Sequence, residues 1–210
     1  MLVYVLMGIV AYLIGSISFS VIISKKMAGF DVREKGSKNA GSTNVLRTVG
    51  KKAAAITLVC DILKGVIAIL IAFIVGKIAK DINPALLVQI AAICVVVGHT
   101  FPIFFKFKGG KGVATSLGII LLLNWQIGLI CLVFALILMI LTRMVSLGSI
   151  SAAILFPVLT IFITENYLVP GNYIVFGILL AAFVVYNHRA NVKRILTGTE
   201  NKLSFKKENN

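Results

Sequence analysis

The chain has 210 residues, of which 59% are hydrophobic and only 13% charged, yet it carries a formal net charge of +14. Soluble domains carry about 25% charged residues, so this composition excludes a soluble enzyme and defines a polytopic membrane protein. The excess of basic residues does not indicate nucleic-acid binding, because they sit in short runs between apolar stretches with no aromatic-interleaved surface domain to hold a strand.

In chain order, the apolar stretches near 2–24, 53–76, 84–105, 147–164 and 171–188 are each long enough to cross a bilayer. The first lacks a basic region before it and is followed by Lys25 and Lys26, which fits an uncleaved span with its N-terminus outside. The stretch 112–141 admits two readings, one long helix or two short helices joined at Asn124-Trp125-Gln126. The second groups Lys and Arg on one side, eight in 25–52, three in 106–111, one in 142–146 and six in 189–210, against Lys77 and Lys80 on the other. That is the positive-inside pattern. It predicts an all-α protein of seven transmembrane helices, two of them short, with the C-terminus inside and 1–210 forming one integral membrane domain. Residues 203–210 are expected to form a disordered cytoplasmic tail. Cys60, Cys94 and Cys131 lie within apolar stretches at no metal-ligand spacing and are expected to be buried filler.

On this topology three polar segments share the cytoplasmic face. The first, Gly36 to Arg47, contains Ser37, Asn39, Gly41, Thr43, Asn44 and Arg47. Hydroxyls, amides and a forked guanidinium suit a small polyol phosphate, although Ser, Asn and Thr also build ordinary helix caps. The second, Gly98 to Ser116, surrounds Lys111 with Gly109, Gly110 and Gly112, ahead of a helix that begins near Gly112. Backbone N–H groups and the positive end of that helix suit an anion, phosphate above all. It is not a nucleotide P-loop, because Phe105 and Gly112 stand where that motif requires Gly and Ser or Thr. The third, Asn187 to Asn191, brings His188, Arg189 and Asn191 within five residues, with His188 and Asn191 at i and i+3.

Earlier small residues at Gly15-Ser16-Ile17-Ser18 favour close helix packing. Asp61 and Lys64 fall on one face of the second span, where an unpaired charge costs at least about 2.5–3.5 kcal/mol, so mutual pairing is expected, with substrate contact as the alternative. His99 ends the third span, either as a structural hydrogen-bonding group or as a site residue.

Taken together, Gly15 to Phe19, Ser37 to Arg47 with Gly50, Asp61 to Gly65, Gly98 to Pro102 through Gly109 to Thr115, and His188 to Asn191 with Arg194, Gly198 and Glu200 resemble the bacterial membrane-integral glycerol-3-phosphate acyltransferases that use acyl phosphate as donor, the PlsY family. Two departures are visible: Ser18 stands in place of the usual proline, and Lys38 replaces the glycine of a Ser-Gly-Asn run, with Ser42 for alanine. The resemblance implies transfer of a long-chain acyl group from acyl phosphate to the sn-1 hydroxyl of glycerol 3-phosphate, giving lysophosphatidate and phosphate, at the cytoplasmic side of the bacterial cell membrane.

Lys111, Ser37, Arg47 and His188 are the expected catalytic residues. Asn39, Gly41, Thr43, Asn44, His99, Gly109, Gly110, Gly112, Thr115, Arg189 and Asn191 are expected to bind substrate. The proton acceptor is either His188 or a substrate phosphate oxygen. The His-x-x-x-x-Asp signature of acyltransferases using acyl-CoA or acyl carrier protein is missing, since Phe104 and Lys193 occupy the relevant positions. Neither cofactor nor metal is expected, membrane lipids surround the chain, and a monomer is expected to function. The competing class is a membrane transporter of phosphate esters, which predicts polar groups at mid-bilayer and inverted repeats.

Overall fold

A computed structural model describes residues 1–164 and 168–203. It contains helices α1 (Leu2–Gly15), α2 (Phe19–Ala28), α3 (Ser42–Thr48), α4 (Lys51–Ile78), α5 (Pro84–Thr100), α6 (Val113–Leu123), α7 (Trp125–Thr142), α8 (Val145–Phe162), α9 (Ile174–Asn187) and α10 (Arg189–Leu196). No strand occurs among the described residues.

Five helices are long and apolar enough to cross a membrane, counting α1 and α2 together as Leu2–Ala28, or six if α9 and α10, bent by 63° at His188, form one span. Helix α6 is apolar but has only 11 residues, about 16 Å at 1.5 Å per residue. The expected pair of short helices is therefore corrected for α7, whose 18 residues extend about 27 Å. The turn is compressed to Asn124 alone, which serves both helices: its backbone N–H donates to Ile120 O, and its side-chain oxygen accepts the Ile127 N–H at 3.0 Å.

The first span is also not one continuous helix, since α1 and α2 part at Ser16 to Ser18. A helix break inside a membrane frees carbonyls that water cannot reach. Here Lys64 of α4 takes them, donating to Gly15 O at 3.1 Å and Ile17 O at 2.9 Å, while its charge is balanced by Asp61 Oδ1 at 2.9 Å. Two helix carbonyls thus accept from the ammonium while the carboxylate neutralises it, the structural pairing that the spacing predicts, with a further backbone role.

The glycines beside this break allow α1 and α5 to touch backbone to backbone. A methyl group at Gly15 would collide with the Val95 carbonyl, and one at Gly98 with the Tyr12 carbonyl. Around α4 and α5 at the centre, buried apolar side chains from α1 and α6 to α9 form the main core, including Ile69, Leu87, Val95, Ile119, Leu123 and Phe176.

A second, smaller core lies beneath the loop that follows α2, joining Val21, Ile23, Val32, Ala40, Val45, Ala53 and Ala54. It fixes α3 against α4. The same loop is tied to the segment after α5 by Arg33, which pairs with Asp31 at 2.7 Å and donates to Phe105 O at 2.6 Å and Lys108 O at 3.1 Å. The Arg33 hydrogen bond also holds the Asp31 carboxyl below the usual carboxylate range. The two polar loops read from the sequence are thereby held side by side. Most of the expected tail, 204–210, lies outside the described residues, but Leu203 donates its N–H to Arg143 O at 2.8 Å.

Candidate active site

A cavity of about 760 Å³ opens between these loops and runs down between α6, α7 and α8. Its mouth is polar, lined by Ser37, Asn39, Gly41, Thr43 and Arg47 on one side, Lys111 and Gly112 beneath, and His188, Asn191, Arg194 and Glu200 opposite. Further in, Leu117, Ile120, Cys131, Leu132, Ala135 and Ala153 make it apolar. One continuous space therefore offers cations at one end and hydrocarbon contact at the other.

Each wall is held by its own local structure. Buried Asn44 organises the first loop, its amide donating to the carbonyls of Val32, Lys35 and Asn39 at 2.9–3.1 Å and its oxygen accepting Ser37 N–H at 2.9 Å. That commits the Asn44 side chain to shaping the loop, although it also borders the cavity. Lys38 occupies the left-handed region there with φ of 58°, the backbone that a glycine would adopt without strain.

Gly109 and Gly110 likewise serve the loop itself. Their N–H groups donate to Thr100 O and His99 O at 3.0 and 3.1 Å, and a side chain at either would strike the end of α5. The N–H groups left for an anion are those of the first turn of α6, which have no carbonyl one turn back. Gly112, with φ of 87°, leads into that turn.

Lys111 donates to Asn191 Oδ1, and the Asn191 amide donates to Glu200 Oε1 at 2.8 Å. Glu200 gathers Ser146 Oγ at 2.9 Å and Arg194 Nε at 2.8 Å as well. Burial alone would raise the Glu200 pKa, but the donations from Asn191, Ser146 and Arg194 outweigh it and hold the carboxyl ionised below its usual range. For Lys111, burial lowers the pKa to about 8, helped by the nearby Arg194 and Arg47 and opposed by Glu200. Arg47 donates to Asn201 O at 3.4 Å, and its pKa too is lowered, first by burial. Three cations thus share one carboxylate, leaving net positive charge for an anionic guest.

His188 stands at the bend between α9 and α10, buried, its Nδ1 2.8 Å from Val184 O. A carbonyl only accepts, so Nδ1 carries the proton and Nε2 is the acceptor of the neutral ring. A backbone carbonyl therefore orients this histidine in place of a carboxylate. His99 borders the cavity with Nδ1 3.5 Å from Asp61 Oδ1, joining the Asp61–Lys64 pair to the loop.

Four of the expected site residues do not line the cavity. Besides Gly109 and Gly110, Thr115 is fully buried with its carbonyl facing Gly65 of α4, and Arg189 stacks on Tyr186 at 4.5 Å and donates to Tyr186 O. Arg194 lines the cavity where Arg189 does not. Helical periodicity carries the signal, since Arg194 follows Asn191 by three residues whereas Arg189 lies about 200° around the helix from it. Arg194 and Glu200 were named from sequence only among the residues that carry the family resemblance, without a site role, and Ser146 was not named; nothing local in the sequence pairs Glu200 with Ser146.

A polar, cationic pocket opening into an apolar channel among membrane-length helices is the architecture of an integral membrane protein whose cavity suits a guest with an anionic head and an apolar tail. The glycerol-3-phosphate acyltransferase family model matches residues 5–198. A glycerol-3-phosphate acyltransferase of Clostridioides difficile (strain 630) is 46% identical over 205 residues, covering 98% of both chains, and one of Thermoanaerobacter sp. (strain X514) is 43% identical over 204 residues. Among solved structures, the fold is similar to PlsY (YgiH), an integral membrane glycerol 3-phosphate acyltransferase. Its glycerol 3-phosphate form matches with a TM-score of 0.84 at 37% identity, covering 96% of each chain, and its lysophosphatidic acid form with a TM-score of 0.82 at 36% identity. The chain belongs to the glycerol-3-phosphate acyltransferase family, in its membrane-integral PlsY branch.

Proposed function

We propose that the chain transfers a long-chain acyl group from acyl phosphate to the sn-1 hydroxyl of glycerol 3-phosphate, releasing lysophosphatidate and inorganic phosphate. The observation that carries this reading is the single cavity that joins a cationic mouth to an apolar arm. A water-soluble phosphate ester and a tailed phosphate can meet there, each extra buried CH₂ of the tail contributing about 0.8 kcal/mol.

In this reading Lys111, Arg47 and Arg194 hold the phosphates and offset charge that develops as the leaving phosphate departs. Ser37, Asn39 and Thr43 meet the polyol, and Nε2 of His188 accepts a hydrogen bond from a glycerol hydroxyl and orients it. Acyl phosphate already carries a good leaving group, so positioning and electrostatics supply most of the rate, and a phosphate oxygen takes the hydroxyl proton. Neither a metal nor a second copy of the chain takes part. Helix α6 completes a seventh crossing with the N-terminus outside, so the mouth faces the cytoplasm, consistent with the positive-inside count.

Purified protein given labelled glycerol 3-phosphate, with palmitoyl phosphate and palmitoyl-CoA offered in parallel in chelator, tests the donor and the metal together. Lysophosphatidate is expected from palmitoyl phosphate alone. Product from palmitoyl-CoA only, or none from either, refutes the reading.

A further inference from the structure

The apolar arm of the cavity stops at one depth on all three of its walls. Its polar end is fixed by Lys111 and Gly112, just before α6, and by Ser146, which reaches Glu200 from the first turn of α8. From there the deepest lining residue is Ile120 on α6 and Ala153 on α8. Helix α7 runs the opposite way, so Met139 lies nearest the mouth and Cys131 deepest. Gly112 to Ile120, Met139 to Cys131 and Ser146 to Ala153 each extend about 10–12 Å at 1.5 Å per residue. One turn further, the same faces carry Leu123, Ile127 and Phe156, each at most 2% exposed and part of the main core. Leu168 lies across this end, donating its N–H to Leu123 O at 3.0 Å. The arm is therefore blind, and it is hollow because α7 and α8 face Leu117 and Ile120 with the small side chains of Ala135, Ala152 and Ala153.

An extended tail advances about 1.3 Å per carbon, the projection of a bond of about 1.5 Å, so about nine carbons reach the floor. A palmitoyl tail is much longer than that, and its remainder has to leave sideways. Leu136 marks the side: it lines the cavity yet is 46% exposed, at the border with the exposed face of α7 that carries Val133, Ile137 and Ile140. Outside, lipid tails are as apolar as the protein, so one more methylene there gains nothing. We infer that the arm reads only about the first nine carbons of the donor tail, with Ala153 setting its floor, an inference that rests on the acyl-phosphate reading above. Selection between acyl chains is thereby confined to short and medium lengths and is absent among long ones.

The test uses the full-length protein with glycerol 3-phosphate and a series of donors, butyryl, hexanoyl, octanoyl, decanoyl and palmitoyl phosphate, comparing wild type with Ala153→Phe and Ala153→Val. The readout is the ratio of variant to wild-type kcat/KM for each donor, from which partitioning of the donor into the membrane cancels. Each methylene excluded from an apolar site costs about fourfold, so for Ala153→Phe the ratio should fall at least about tenfold from butyryl to decanoyl phosphate and then stay level to palmitoyl. Ala153→Val, a smaller intrusion, should fall in the same direction by about threefold, and it carries the test if the phenylalanine variant does not fold. A ratio that is the same for butyryl and decanoyl phosphate overturns the inference, since general damage to the fold lowers every donor alike. So does a ratio that goes on falling from decanoyl to palmitoyl, which would mean that the arm takes the whole tail. Wild-type protein that makes no product from any acyl phosphate removes the donor reading itself, and this inference with it.

Discussion

The depressed pKa of Lys111 makes its charge, and the catalysis proposed to depend on it, sensitive to pH near neutrality. With a pKa of about 8, the ammonium is about nine-tenths protonated at pH 7 and about one-tenth at pH 9. kcat/KM reports the free enzyme, so it should fall about tenfold per pH unit above 8. A bound phosphate favours the charged lysine, and the corresponding limb in kcat should therefore lie at higher pH.

Loss of the fold would give the same trend in activity, but the sign of the linkage separates the two. Between pH 8 and the ordinary lysine value of 10.5, the unfolded chain holds a proton that the folded chain has released. This group's contribution to stability consequently rises with pH. Initial rates from pH 6 to 9.5, with thermal melts at each pH, should show falling kcat/KM without a destabilising contribution from Lys111. Lys111→Arg remains charged throughout, so its lower activity should be flat across this range. A limb near pH 8 that persists in Lys111→Arg, or a wild-type kcat/KM that is flat to pH 9.5, refutes the assignment.

The break between α1 and α2 and the bend at His188 provide two further tests. Lys64→Met strands the Asp61 carboxylate and two helix carbonyls, and thermal melting in detergent should show a loss of about 3–5 kcal/mol. Adding Asp61→Asn should recover only part of that, since the Gly15 and Ile17 carbonyls remain unpaired. In steady-state assays Arg194→Ala should lower kcat/KM at least about tenfold, while Arg189→Ala, which loses only a contact on Tyr186, should stay within about twofold. The reverse order would place the cationic wall of the cavity on the other face of α10.

Much of the fold was legible because a membrane imposes long-range rules on local sequence. Apolar length located the spans, and the distribution of Lys and Arg brought the three polar loops to one face. The break at Ser16 to Ser18 was less visible, since the residue that makes it tolerable, Lys64, comes from another helix. The short-helix reading of α7 placed too much of the turn in Trp125 and Gln126, when Asn124 alone reverses the chain by capping with its own side chain. In the site, residue types in the loops pointed to phosphate. Sequence could not tell a glycine N–H free for a ligand from one used to bind the end of α5, as at Gly109 and Gly110. Nor could it pair Glu200 with Ser146, 54 positions earlier.

Glu200 also sets when the site comes into being. Every helix that lines the cavity is synthesised before this carboxylate, and the network through Asn191 to Lys111 closes only when the segment beyond α10 folds back onto the α7–α8 turn. A nascent chain can thus be threaded and packed in the bilayer while its chemistry is still incomplete. Assembly of the network therefore waits on the stretch that follows α10, because every other member of it, from Lys111 to Asn191, comes earlier in the chain.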